Sequence, residues 1–167
     1  MTKFIYKIFL YLSFLLVFSS YSALSESYKN TFKEEMVEVS LVSSVNHFAD
    51  NEKFYIGLKF KLEKDWKIYW RHPGDSGMPP EVDFSNANNI NNYKIMWPFP
   101  EKEFEAANLL TNVYKRSVIL PIEIAAMDSS LPMNLKGIVK FQVCKEICIP
   151  LIAYLKLDIN PGIIKYT

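Results

Sequence analysis

The chain has 167 residues, half of them apolar and 15% aromatic, with 5 glycines, which suits one globular domain with a packed core and excludes a disordered or collagen-like chain. Its formal net charge of +1 gives a polyanion no basic surface to bind, so nucleic acid is not an expected partner.

Met1 to about Ser25 stands apart from the rest. Lys3 and Lys7 precede an uncharged run from Ile8 to Phe18, and the small residues Ser19, Ser20, Ser22, Ala23 and Ser25 follow. A basic start, an apolar middle and a small-residue end describe a secretory signal peptide, with cleavage after Ser22 or Ser25 fitting best. The strongly apolar stretch covers about a dozen residues, short of the roughly 20 a spanning helix needs. No cysteine follows it, so a lipid attachment point is missing. Removing the leader takes away two lysines and no acidic residue, which turns the formal charge from +1 to about −1. Export also places any thiols where disulfides form and persist. The expected organisation is a signal peptide over 1–25 and one domain over 26–167.

Ser27 to Glu35 is polar and reads as a loose lead-in. Val37, Val39 and Leu41 alternate with Glu38 and Ser40 as a first strand, and Asn46 to Glu52 reads as a turn carrying His47. Phe54, Ile56, Leu58, Phe60 and Leu62 against Tyr55, Lys59 and Lys61 give the cleanest period of two, a strand expected to cross the middle of a sheet. Trp66, Ile68 and Trp70 then alternate with Lys67, Tyr69 and Arg71, the first three facing a core.

His72 to Pro80 crowds glycine and proline into a stretch that neither a helix nor a central strand tolerates. It is expected to be a loop of fixed shape, either a binding surface or a plain corner. Val82 to Phe84 is a short strand, Asn86 to Asn92 a connection, and Tyr93, Ile95 and Trp97 a further strand before Pro98-Phe99-Pro100. Glu101 to Asn108 reads as a helical turn or loop. Val113 to Ile124 supplies one or two strands broken at Pro121, and Asp128 to Pro132 turns the chain. With about seven to nine short strands and no long helical period, the expected fold is all-β, an immunoglobulin-like antiparallel β-sandwich.

Both cysteines fall in the last pair of strands. Leu135, Gly137, Val139, Phe141 and Val143 alternate with polar residues, as do Leu151, Ala153, Leu155, Leu157 and Ile159. If Lys145, Glu146 and Ile147 connect them, Cys144 and Cys148 stand opposite one another at the mouth of a hairpin. Opposed strand residues lie roughly 4.5 to 5.5 Å apart, within the roughly 4.4 to 6.8 Å that a disulfide accepts. So small a ring removes little unfolded-chain entropy, which suits a bond that opens and closes better than a staple. A static disulfide, or two buried free thiols, fits the same spacing.

Other chemistries find less support. No G-x-S-x-G elbow is present, and His47 and His72 are the only imidazole bases. Zinc sites use four ligands, often in paired C-x-x-C spacings; a copper(I) carrier built from Cys144, Cys148 and a methionine such as Met78 is the remaining metal reading. No cofactor is implied. Thiol exchange needs an accessible thiolate and a second thiol to resolve the mixed disulfide. Lys145 favours a thiolate and Glu146 opposes it.

Three motifs carry a family resemblance: Trp66 through Pro80, Trp97-Pro98-Phe99-Pro100, and Val143-Cys144-Lys145-Glu146-Ile147-Cys148-Ile149-Pro150. Together they resemble the exported N-terminal domain of the DsbD family, with the greatest likeness to suppressor-of-copper-sensitivity B proteins. The similarity covers nearly all of the chain after the leader, in matching order. It implies a periplasmic immunoglobulin-like sandwich with protein-disulfide reductase chemistry. Such a domain takes electrons from a membrane-embedded thiol donor and passes them to periplasmic thioredoxin-fold proteins. By the same resemblance Cys144 and Cys148 are the redox pair, Cys148 forming the mixed disulfide and Cys144 resolving it. The spacer between the cysteines is shorter than in DsbD itself. The competing reading is a non-catalytic binding module that presents His72 to Pro80, its disulfide merely structural.

Overall fold

The computed structural model describes residues 27–43, 47–48 and 53–162. The expected leader lies outside the described residues, as does most of the expected turn around His47. In chain order the strands are β1 (Thr31–Glu34), β2 (Val37–Ser43), β3 (His47–Phe48), β4 (Phe54–Leu62), β5 (Lys67–Gly74), β6 (Glu81–Asp83), β7 (Ile90–Ile95), β8 (Glu101–Phe104), β9 (Leu110–Lys115), β10 (Ser117–Ala126), β11 (Met133–Cys144) and β12 (Cys148–Pro161). Among the described residues, the helical content is a single 3-10 turn, Ala106–Asn108.

Alternating hydrophobicity builds two facing sheets. In the first, ordered β1-β2-β4-β10-β7, β4 takes the central place expected of it. Phe54, Ile56, Leu58, Phe60 and Leu62 turn inward with at most 7% exposure, and Tyr55, Lys59 and Lys61 face out. The second sheet runs β3-β12-β11-β5-β9-β8, with β6 also paired to β11. Its inner face supplies Ile68, Leu135, Val139, Phe141, Val143 and Leu155 to the same core. Phe141 closes the gap between layers, meeting Phe60 edge-on at 5.3 Å and Phe32 at 6.4 Å. Each large apolar side chain so buried contributes about 1.5 to 3 kcal/mol. The result is the expected antiparallel sandwich; the pairing of β3 with β12 is parallel.

Several local expectations give way. The lead-in contains β1, zipped to β2 from Thr31↔Ser40 to Glu34↔Val37. Glu101 to Asn108 holds β8 before the 3-10 turn, and β5 runs on through His72, Pro73 and Gly74, so the shaped loop is shorter than expected. Such edge pieces are too short to show a hydrophobic period. Pro121 does not break its strand: β10 passes through it, opposite Gly57 of β4. The Pro121 carbonyl accepts from Met96 N, 2.7 Å, just past the end of β7. The missing N–H would point to that same side, at the last pair of the β7 ladder, so the strand forgoes a single terminal bond.

Candidate functional site

β11 and β12 pair without a slip from Met133↔Ile159 to Cys144↔Cys148, so strand register alone sets the cysteines face to face. Lys145, Glu146 and Ile147 form the connection, with Lys145 N donating to Ile147 O at 3.1 Å. Cys144 and Cys148 are joined by a disulfide with a Cα separation of 4.1 Å. This is shorter than the spacing alone suggested. The hydrogen-bonded Lys145–Ile147 step makes the next pair a non-hydrogen-bonded one, the closer of the two antiparallel kinds.

Parity fixes which way the sulfurs face. Phe141 and Val143 point into the core, so Cys144, one residue on, emerges on the outer face of the second sheet. It is nevertheless only 1% exposed, because Tyr69 (1%) and Val113 (0%) form a second small cluster with it there. Cys148 is exposed. The bond thus joins a buried cysteine to an exposed one.

β5 meets β11 at a single residue pair, Cys144↔Lys67. Lys67 is the one charged residue in the buried class among the described residues. Its ammonium lies 2.8 Å from Glu105 and 3.5 Å from Glu103, and Glu103 also pairs with Lys115 at 2.9 Å. The same Glu105 oxygen accepts from Thr111 Oγ1 at 3.0 Å and Tyr69 Oη at 3.2 Å. Burial pushes the Glu105 carboxyl up, but hydrogen bonds from Lys67, Thr111 and Tyr69 and the Lys67 charge outweigh it and leave it below the usual value. Burial and the neighbouring Glu105 carboxylate push the Tyr69 phenol up to about 12, so it remains a hydrogen-bond donor at neutral pH.

The His72 to Pro80 stretch is fastened over this cluster. Asp75 N donates to Leu110 O at 3.0 Å and Leu110 N to Asp75 Oδ2 at 2.8 Å, while Asn112 Nδ2 donates to His72 O at 2.8 Å. Gly77, at φ +93°, lies so close to the Tyr69 ring that a Cβ would collide with it. The loop therefore touches Cys144 at one remove, through Tyr69. Arg71 places its guanidinium over the Trp70 ring, 5.1 Å from its centre.

Reasoning from the sequence found both cysteines and the loop but missed Lys67, Glu105 and Thr111. A usable signal was present: Glu101, Glu103 and Glu105 recur every second residue, which places carboxylates on one face of a strand. Among the described residues no group of three or more His, Cys, Asp or Glu side chains gathers as a metal site. No helix among them is long and apolar enough to cross a membrane.

The family model for the N-terminal part of the thiol:disulfide interchange protein DsbD matches residues 34–158. The chain belongs to the DsbD N-terminal domain family. That family is linked to thiol–disulfide exchange, and in this chain Cys144 and Cys148 are joined by a disulfide. Among solved structures, the N-terminal periplasmic domain of ScsB from Proteus mirabilis matches with a TM-score of 0.64 and 26% identity, over 80% of this chain and 51% of that one. The chain thus spans about half the length of that ScsB structure. The reduced DsbD N-terminal domain from Neisseria meningitidis matches with a TM-score of 0.44 and 12% identity, over 77% of this chain and 88% of that one. No curated protein sequence matches the chain.

Proposed function

We propose that this DsbD-family chain is an exported thiol–disulfide exchange module: a leader over 1–25 is removed, and residues 26–167 work in the periplasm. There it takes reducing equivalents from a membrane-embedded thiol donor and passes them to thioredoxin-fold partners through Cys144 and Cys148. The reading is carried by the unequal exposure of the two bonded cysteines, Cys148 exposed and Cys144 buried.

Disulfide exchange proceeds by attack of a thiolate on a sulfur, and access decides which sulfur is used. In the reduced module, the Cys148 thiolate attacks the partner's disulfide, forms a mixed disulfide and expels one partner sulfur as a thiolate. Cys144 then attacks Cys148 Sγ. The intramolecular bond re-forms, the second partner sulfur leaves, and two electrons have moved to the partner. The donor reduces the module by the reverse sequence. Because pairing next to the loop continues through Val143↔Ile149, the hairpin keeps the thiols adjacent when their bond is open.

Replacing Cys144 by Ser should trap a mixed disulfide with periplasmic thioredoxin-fold proteins, whereas Cys148→Ser should trap none. A reduction potential below about −300 mV, the range of inert structural disulfides, or no trapped partner with Cys144→Ser, would overturn the reading.

A further inference from the structure

The relay as described leaves unexplained why the one buried charge among the described residues sits beside the resolving cysteine. Burying an ammonium carries a desolvation penalty of several kcal/mol, and apolar replacements of buried ion pairs are often as stable or more so. Stability alone is therefore a weak reason for Lys67 to be there. Cys144, at 1% exposure, has a problem of its own: burial disfavours the thiolate, yet the resolving attack needs it.

Lys67 and Cys144 are direct register partners, so their side chains leave the sheet on the same face with Cβ atoms about 4.5 to 5.5 Å apart. The charged and titratable groups around Cys144 are Lys67 and Tyr69 on β5, Glu103 on β8, Glu105 after it, Lys115 on β9, and Lys145 and Glu146 on the connecting loop. Glu103 is matched by Lys115, and Lys145 is turned to Asp65 at 3.5 Å. Tyr69 holds its proton. Lys67 is the cation fixed on the Cys144 face, with Glu105 as its main counter-charge.

We propose that Lys67 is a positioning residue for the resolving step, its buried ammonium favouring the charged form of Cys144 while Glu105 and Glu103 hold it in place. This rests on the relay reading. In the mixed disulfide, the Cys144 thiol gives its proton to solvent, and the thiolate attacks Cys148 Sγ. The Cys144–Cys148 bond forms, the bond from Cys148 to the partner breaks, and the departing partner thiolate takes up a proton.

The test is alkylation of Cys144 by iodoacetamide in a Cys148→Ser background, followed across pH with the whole chain. The midpoint of that profile reports the charge environment; its plateau reports access. Lys67→Met should raise the midpoint by about one unit and slow alkylation about tenfold at neutral pH. Lys67→Arg should restore it. Glu105→Gln, which frees the ammonium, should lower the midpoint. A structural role predicts that both changes loosen the cover alike, so that the plateau rises and neither midpoint moves. That result, or a Glu105→Gln midpoint that stays or rises, overturns the proposal, and the Glu105→Gln arm decides alone if Lys67→Met does not fold. No partner is needed, so a failed trapping experiment with midpoints shifted as expected would sink the relay and leave the Lys67–Cys144 coupling standing.

Discussion

Gly77 lies directly against the Tyr69 ring, and Tyr69 packs in turn with Cys144. The contact is possible only without a Cβ, and at φ +93° the backbone favours glycine as well. Gly77→Ala should therefore push the loop off Tyr69, costing about 1 to 3 kcal/mol and speeding reduction of the disulfide by dithiothreitol. Denaturant melts and reduction kinetics check both; unchanged kinetics would mean that the loop does not govern access to the sulfurs.

Glu105 makes stability depend on acid. Its carboxyl is held below the ordinary value of 4.5: burial raises it, and the Lys67, Thr111 and Tyr69 contacts more than reverse that. A group depressed in the folded state stabilises the fold above its unfolded pKa and loses that contribution as pH falls through its folded one. The Glu105 contribution is thus complete above about pH 4.5 and fades below it. Melting temperature against pH for Glu105→Gln should show a shallower acid decline than the parent chain, the two curves differing most above pH 4.5.

The sandwich was legible because its long strands obey a simple period: β4, β11 and β12 turn every second residue inward, and two cysteines in an otherwise regular hairpin announce themselves. The site's surroundings were not legible for a physical reason. β5 is buried on both faces, Ile68 against the main core and Lys67 and Tyr69 against the outer cluster, so alternation alone cannot tell that its polar side is also covered. The covering residues come from β9 and from Glu105 just after β8, some 40 positions away, and only the sheet order β5-β9-β8 brings Val113 against Tyr69 and Glu105 within reach of Lys67 and Tyr69. β1 and β8 were missed because four-residue edge strands carry two inward positions at most.

The interlayer contact of Phe60 with Phe141 sets how much a single core change should cost. Phe60 is fully buried and central, and Phe141 reaches it from the other sheet at 5.3 Å. Phe60→Ala should destabilise by about 3 to 5 kcal/mol, whereas Phe99→Ala, at a side chain 99% exposed, should change stability by less than about 0.5 kcal/mol. Urea titrations of the two variants make the comparison.

Opening the disulfide should leave the sandwich standing. The bond spans a sequence separation of 4, and closing so short a loop removes about 2 kcal/mol of unfolded-chain entropy at most, well below what a staple across a long loop supplies. The β11–β12 ladder meanwhile holds eleven residue pairs besides that of the cysteines. The double variant Cys144→Ala, Cys148→Ala should keep the parent's far-ultraviolet circular dichroism and lose no more than about 2 kcal/mol in urea. A larger loss, or a collapse of the spectrum on reduction, would mean that the bond is a structural clasp. The proposed relay opens this bond at every turnover and requires a domain that does not depend on it for folding, so the same measurement bears on that proposal.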